Sequence, residues 1–168
     1  TESYDAPAAL PRVTPGSIRD DLSRRDFTIN AIALALAPGE FGRLLDEFGG
    51  VRDIQGRRIR VLHERSFVDD PTRIFRAVRF EARLGFRIVA ADEKRIGEAL
   101  SRSLLGRLEE YRIAAELRLI LREHDPARPL QRLAQLGALA ALEGLRHEKP
   151  SLDKPLAMIG KVLHAVHR

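Results

Sequence analysis

The sequence predicts an α+β fold that is mostly helical: a small piece built on short strands, followed by a run of helices. Three observations carry this. Residues 1–16, TESYDAPAALPRVTPG, hold three prolines and close on Pro-Gly, which reads as extended chain and loop with at most a short strand at its start. ALALA and FGRLLDEF flank the turn PGE (38–40), and RRIRVLH (57–63) alternates Ile59, Val61 and His63, so the first third carries strands. From Ser66 onward the apolar spacing is helical and no strong strand signal remains.

In order along the chain, Ser17 or Asp21 caps a helix entering SRRDFTINAIAL, where Leu22, Phe27, Ile29 and Ile32 are loosely spaced for one helical face. A β-hairpin turns at PGE, FGG (48–50) breaks the chain, and a third strand follows at 57–63. Helices are expected at 66–85, 91–104, 107–123, 126–142 and 155–167. The breaks between them fall at LGF (84–86), LLG (104–106), HDP (124–126) and EKPSLDKP (148–155).

With 168 residues, 44% of them apolar, the chain can bury the core of one full domain or two small ones. The formal charge is +5 and the pI near 10.2. Only Lys94, Lys149, Lys154 and Lys161 are lysines, so 25 of the 29 basic residues are arginine. The guanidinium fork suits phosphates and planar acceptors, which fits a nucleotide or nucleic-acid partner; an arginine-favouring genome explains the same bias. Cysteine is absent, which excludes disulfides, thiolate metal sites and cysteine nucleophiles. The longest apolar runs, AIALALA and LGALAAL, are far shorter than the roughly 20 residues a membrane span requires. No leader pattern is visible, so a cytoplasmic protein is expected. The first residue, Thr1, suggests a processed or incomplete chain.

Three polar clusters stand out. In SRRDFTINA (23–31), Ser23 as a helix cap with Asp26 three residues later explains two residues but not the paired Arg24 and Arg25. In DEFGGVRD (46–53), two glycines let backbone amides approach a phosphate or simply make a flexible break between layers. In VDDPTRIFRAVRF (68–80), a helix starting at Asp70 engages its carboxylate as a cap, whereas one starting at Ser66, boxed with Asp69, leaves Asp70 and Arg73 about 60° apart on one face. A carboxylate accepts and a guanidinium donates, so that pair matches an edge offering an amine beside a ring nitrogen. Cytosine and adenine present such an edge; uracil and guanine do not.

These clusters, in this order and spacing, resemble the class II (bacterial-type) tRNA nucleotidyltransferases, which build or repair the CCA end of tRNA, and the similar bacterial poly(A) polymerases. DLSRRDFTINAIAL resembles the family's ribose-recognition motif, DEFGGVRDI its hinge motif, DDPTRIFRAVRFEARLGF its base-selecting motif, and GRLEEYRIAAELRLIL the helical motif that follows. The likeness implies the end of a nucleotidyltransferase head over residues 1–64, a helical neck over 65–123 and the start of a body over 124–168. It implies that Arg24, Arg25, Asp26 and Asn30 hold the ribose and phosphates, and that Asp70 and Arg73 select the base. Asp46, Gly49, Gly50 and Asp53 would form the hinge. Arg76 and Arg79, one and two turns beyond Arg73, are expected to face triphosphate or RNA backbone. The substrates implied are ATP, CTP and the 3′ end of tRNA, with Mg2+ as the family's ion.

Three departures qualify the likeness. Asp69 stands where the base-selecting motif often begins with Glu. Tyr111-Arg112 stands where the fourth motif usually has Glu-Arg, although Arg112 and Glu116 keep the i, i+4 spacing of a supporting pair. The family's metal-binding Asp-x-Asp occurs nowhere in this chain, and GGVRD (49–53) follows the RRD motif, which excludes it as the catalytic loop. No catalytic residue or metal ligand is therefore assigned here; the carboxylates are expected upstream, and the isolated chain is expected to bind without catalysing. The alternatives are a non-catalytic nucleotide- or RNA-binding module and a poly(A) polymerase. His63, His124 and His147 are scattered, and His164 with His167 forms a single i, i+3 pair, so no histidine metal site is expected.

Overall fold

A computed structural model describes residues 2–3, 12–13 and 16–166. Strand β1 (Glu2–Ser3) pairs antiparallel with β2 (Arg12–Val13), Glu2 opposite Val13. Helix α1 (Ile18–Ser23) is capped by Ser17, whose hydroxyl accepts from the Asp20 amide while the Asp20 carboxylate accepts from the Ser17 amide. It stops at Ser23 instead of running through the Arg-Arg-Asp cluster. Ser23 ends the helix; it does not cap one.

Phe27 explains the stop. Its backbone is extended, it bridges to Val61, and its side chain is fully buried edge-to-face against Phe80 at 5.7 Å. Anchoring an aromatic ring in the core outweighs the weak helical spacing of residues 22–32. A single 3-10 turn at Thr28–Asn30 follows.

The hairpin forms as expected: β3 (Ala33–Leu34) pairs antiparallel with β4 (Leu44–Leu45). Helix α2 (Gly50–Gln55) follows, then β5 (Arg58–Ile59). The sequence gives no sign of the partner of β5. It is β6 (Arg87–Ile88), pairing in parallel from beyond the next two helices.

The expected helix at 66–85 is two helices, α3 (Ser66–Asp69) and α4 (Arg73–Leu84), split at Asp70-Pro71-Thr72. Proline disfavours helical geometry in the residue before it, and Asp70 is extended (φ −138°, ψ 93°). Gly85, at φ +66°, ends α4 in the left-handed conformation a glycine adopts without strain. Helices α5 (Ala90–Ser101) and α6 (Glu110–Leu121) lie where expected. The stretch 126–142 is again two helices, α7 (Ala127–Gln135) and α8 (Ala138–Gly144), and α9 (Asp153–Val166) closes the array.

One continuous core joins Phe27, Ile59 and Val61 of the strand-bearing part to Phe67, Ile74, Phe75 and Val78 of α3 and α4, and on to Ile113 and Leu117 of α6 and Leu130 and Leu133 of α7. Helix α4 is central. Its buried Ile74, Phe75, Ala77 and Val78 alternate with arginines that reach sideways toward the polar clusters.

Candidate functional site

Two of the three polar clusters meet where α4 begins. Arg76 lies one turn into α4, and its Nε donates to Asp26 Oδ2 at 2.8 Å while a second guanidinium nitrogen reaches the same oxygen. Asp26 is almost fully buried, and its Oδ1 accepts from the Phe27 amide (2.9 Å) and Asn30 Nδ2 (2.7 Å). Four donors satisfy this carboxylate, so a ribose hydroxyl can reach it only if Arg76 or Asn30 yields. Burial opposes the charge on Arg76, and the facing Asp26 carboxylate more than offsets this, raising its pKa above the ordinary value.

Arg73 makes the second connection. Its side chain is buried; Nη1 donates to Ser66 Oγ at 2.5 Å and Nη2 to the Arg24 carbonyl at 3.0 Å. Ser66 therefore receives Arg73, and α3 has no side-chain cap, contrary to the expected box with Asp69. Asp69 accepts instead from Arg65 at 3.2 Å.

Asp70 does neither of the two things expected of it. It is not the cap of a helix begun at its own position, nor is it in a helix body beside Arg73. From the extended link its Oδ1 accepts from the Thr72 amide (3.0 Å) and hydroxyl (2.6 Å), a local Asp turn onto the residue two places on. The same oxygen accepts from Arg112 Nη2 of α6 at 2.9 Å. No short donor to Oδ2 accompanies these three among the described residues. Thr72, which the sequence reading does not single out, thus holds this carboxylate through both its amide and its hydroxyl, and the Asp-Pro-Thr triplet is the signal for it.

Arg24 and Arg25 gather around Asp21, with Arg24 Nε and Arg25 Nη2 each 2.9 Å from its carboxylate. The Arg25 bond, and after it the Arg24 bond, lower the Asp21 pKa. Arg25 is half exposed at the mouth of this arrangement.

Behind Arg76, Glu116 of α6 stands 3.8 Å from Arg76 Nη1 and 3.9 Å from Arg79 Nη2. Arg79 also faces Glu123 at 3.7 Å and lies over the Phe80 ring, so it is a buried support and not the exposed phosphate contact expected. Arg79 Nε and Glu116 Oε2 are buried without a hydrogen-bond partner. Burial raises the Glu116 pKa above the ordinary 4.5, against the pull of Arg76 and Arg79. The folded state then holds its proton more tightly than the unfolded state. The stability this contributes is complete below pH 4.5 and fades as pH rises through the raised value. Chemical denaturation of Glu116→Gln from pH 4 to 8 should show the variant gaining on the wild type as pH rises; a difference that stays flat would mean the carboxyl titrates normally.

The hinge cluster forms a clamp. Asp46 accepts from the Gly50 amide (2.6 Å) and the Val51 amide (2.9 Å), occupying the start of α2 that a phosphate would otherwise use. Gly49 takes φ +74° just before α2. Asp53, buried, accepts from Thr28 Oγ1 at 2.8 Å and from Arg60 Nη2 at 3.1 Å, binding α2 to the 3-10 turn and to the chain after β5.

Residues 1–60 match the poly(A) polymerase head domain. The chain is 50% identical over 138 residues to an A-adding tRNA nucleotidyltransferase of Geobacter sulfurreducens, covering 82% of this chain and 16% of that protein. A CCA-adding enzyme in its apo form II superposes with a TM-score of 0.81 at 48% identity, over 84% of this chain and 33% of the other. A CCA-adding enzyme in complex with ATP gives 0.73 at 49% identity, over 74% and 30%. The chain thus spans between about a sixth and a third of the length of these proteins. Sequence and fold agree on the conclusion that the chain belongs to the bacterial tRNA nucleotidyltransferase and poly(A) polymerase family and corresponds to part of its longer members.

Proposed function

We propose that this chain is the nucleotide-selecting part of a tRNA nucleotidyltransferase that adds A, C or both to the 3′ end of tRNA. The observation that carries the reading is the meeting of two clusters fifty residues apart, through Arg76 on Asp26 and Arg73 on the Arg24 carbonyl. The boundaries proposed with it are a head segment at 1–64, a neck at 65–123 and a body segment at 124–168.

In this reading Arg24 and Arg25 meet the phosphates, and Asp70 accepts the exocyclic amine of adenine or cytosine. Arg73 offers the guanidinium donors not engaged by Ser66 and the Arg24 carbonyl. Asp26 and Asn30 fix the chain that carries the arginines. Arg112 holds Asp70 in register, so the base-reading edge is set by α6 as well as by its own link.

Magnesium belongs to the family's chemistry, and the carboxylates at this site do not fit it. Asp26 is saturated, Asp70 meets Arg112, Glu116 stands between two arginines, and Asp53 binds Thr28 and Arg60. Arginine-flanked oxygens disfavour a divalent cation, and no step of this reading passes through one.

Calorimetric titration of the chain with ATP, CTP, GTP and UTP tests the proposal. ATP or CTP should bind about ten-fold more tightly than GTP or UTP, since the wrong base leaves buried polar groups unpaired. Asp70→Asn keeps an oxygen for Thr72 but adds a donor to the edge, and should erase that preference while the fold survives. A preference unchanged by Asp70→Asn would remove Asp70 from base selection.

A further inference from the structure

Helix α6 sorts its charges by face. Glu116, and Glu123 two residues past the helix end, turn toward α4, where they meet Arg76, Arg79 and Arg83. At 3.6 residues per turn, continued through Arg122 just past the helix end, Tyr111, Ala115, Arg118 and Arg122 fall within about 60° of one another, on a stripe turned at least about 80° from the two glutamates. All four are exposed, Tyr111 by 60%. Neither Arg118 nor Arg122 has an acidic or hydrogen-bonding side-chain partner among the described residues, which sets them apart from the paired arginines of the nucleotide site. Tyr111 stands next to Arg112, whose guanidinium holds Asp70, so the stripe starts at the site and runs about 16 Å outward along the helix.

An exposed ring followed by two unpaired guanidinium forks one turn apart is the chemistry of single-stranded RNA recognition: bases stack on the ring and phosphates take the forks. Resting on the nucleotidyltransferase reading, we propose that the outer face of α6 binds the RNA strand whose 3′ end receives the nucleotide. Tyr111 stacks on a base of the single-stranded end, and Arg118 and Arg122 hold the backbone phosphates that precede it. Ala115 keeps the strip between them low enough for the strand to lie flat.

Fluorescence anisotropy of the whole chain with a labelled acceptor-stem hairpin carrying a single-stranded 3′ tail tests this between 50 and 200 mM KCl. Arg118→Glu with Arg122→Glu should weaken binding about ten-fold or more at 50 mM and reduce the salt slope by about 1.5, two phosphate contacts' worth. Arg87→Glu with Arg128→Glu changes the net charge equally, in the groove between α4 and α7, and should cost less than about three-fold. Tyr111→Ala should weaken the tailed hairpin about five-fold or more, leave a blunt hairpin unaffected, and be rescued by Tyr111→Phe. Equal losses from the two charge reversals, or no RNA binding by the wild type, overturns the inference. ATP titration of the same proteins separates the two readings: normal ATP binding with RNA indifferent to α6 overturns this one alone, and failure of the wild type to bind any nucleotide overturns the reading beneath it.

Discussion

Replacing Arg76 by alanine should destabilise the fold by about 3 kcal/mol, because removing one partner of a buried ion pair leaves the other charge uncompensated. Asp26 keeps the Phe27 amide and Asn30, but neither carries a positive charge. Glu116 loses one of its two cations at the same time, and Asp26, Asp70 and Glu116 are left sharing a site with less to offset their repulsion. For a chain of this size the loss corresponds to a fall in melting temperature of roughly 6–12 °C. Arg76→Lys should recover part of it, since a single ammonium cannot reproduce the fork. A double-mutant cycle with Asp26→Ala isolates the pair, and a coupling energy of about 2 kcal/mol is expected. A cycle that closes near zero would show the pair to be incidental. Under the proposed function, nucleotide binding should fall with stability in Arg76→Ala, because the strut that breaks also joins the RRD segment to α4 just past the Asp70–Thr72 link.

Much of this arrangement was legible locally, and the failures have identifiable causes. The hairpin at PGE, the helices over 90–121 and the family motifs follow from turn residues, apolar spacing and short polar strings, all of which lie within one window of sequence. Asp70 is hard to place from sequence because two short-range rules compete there. A start near Ser66 does occur, as does a fresh helix three residues past Asp70, and Pro71 disfavours helical geometry at Asp70 itself, which takes the extended conformation that breaks the expected single helix. The parallel pairing of Arg58–Ile59 with Arg87–Ile88 was invisible because two-residue strands have no period to read. The pairing of Asp26 with Arg76 was out of reach for another reason: any of 25 arginines was an equally good partner on paper. Only the burial of Phe27 against Phe80, which draws the RRD segment onto α4, selects among them.

Gly50→Ala should be the most damaging small substitution in the chain, costing about 3 kcal/mol or more as overpacking against atoms that cannot rotate away. A β-carbon there would sit 2.3 Å from the Thr28 carbonyl oxygen and 2.7 Å from Ile32 Cγ1. Relief requires α2 to move, and α2 is held by Asp46 at its first amides and by Asp53 on Thr28 and Arg60. Its neighbour makes the contrast. Gly49 has open space around its missing β-carbon but a φ of +74°, so Gly49→Ala meets only the left-handed penalty of about 1–2 kcal/mol, and Gly49→Asn less. Urea denaturation of both variants tests the ranking. It also tests what the hinge motif is in this chain. A joint that bends freely would let α2 slide off Thr28, and Gly50→Ala would then cost no more than Gly49→Ala. A clamp gives the ranking expected here, with faster amide exchange in Gly50→Ala at positions 50 and 51, whose N–H groups Asp46 holds. In that case any bending between the strand-bearing part and the helices belongs elsewhere than at α2.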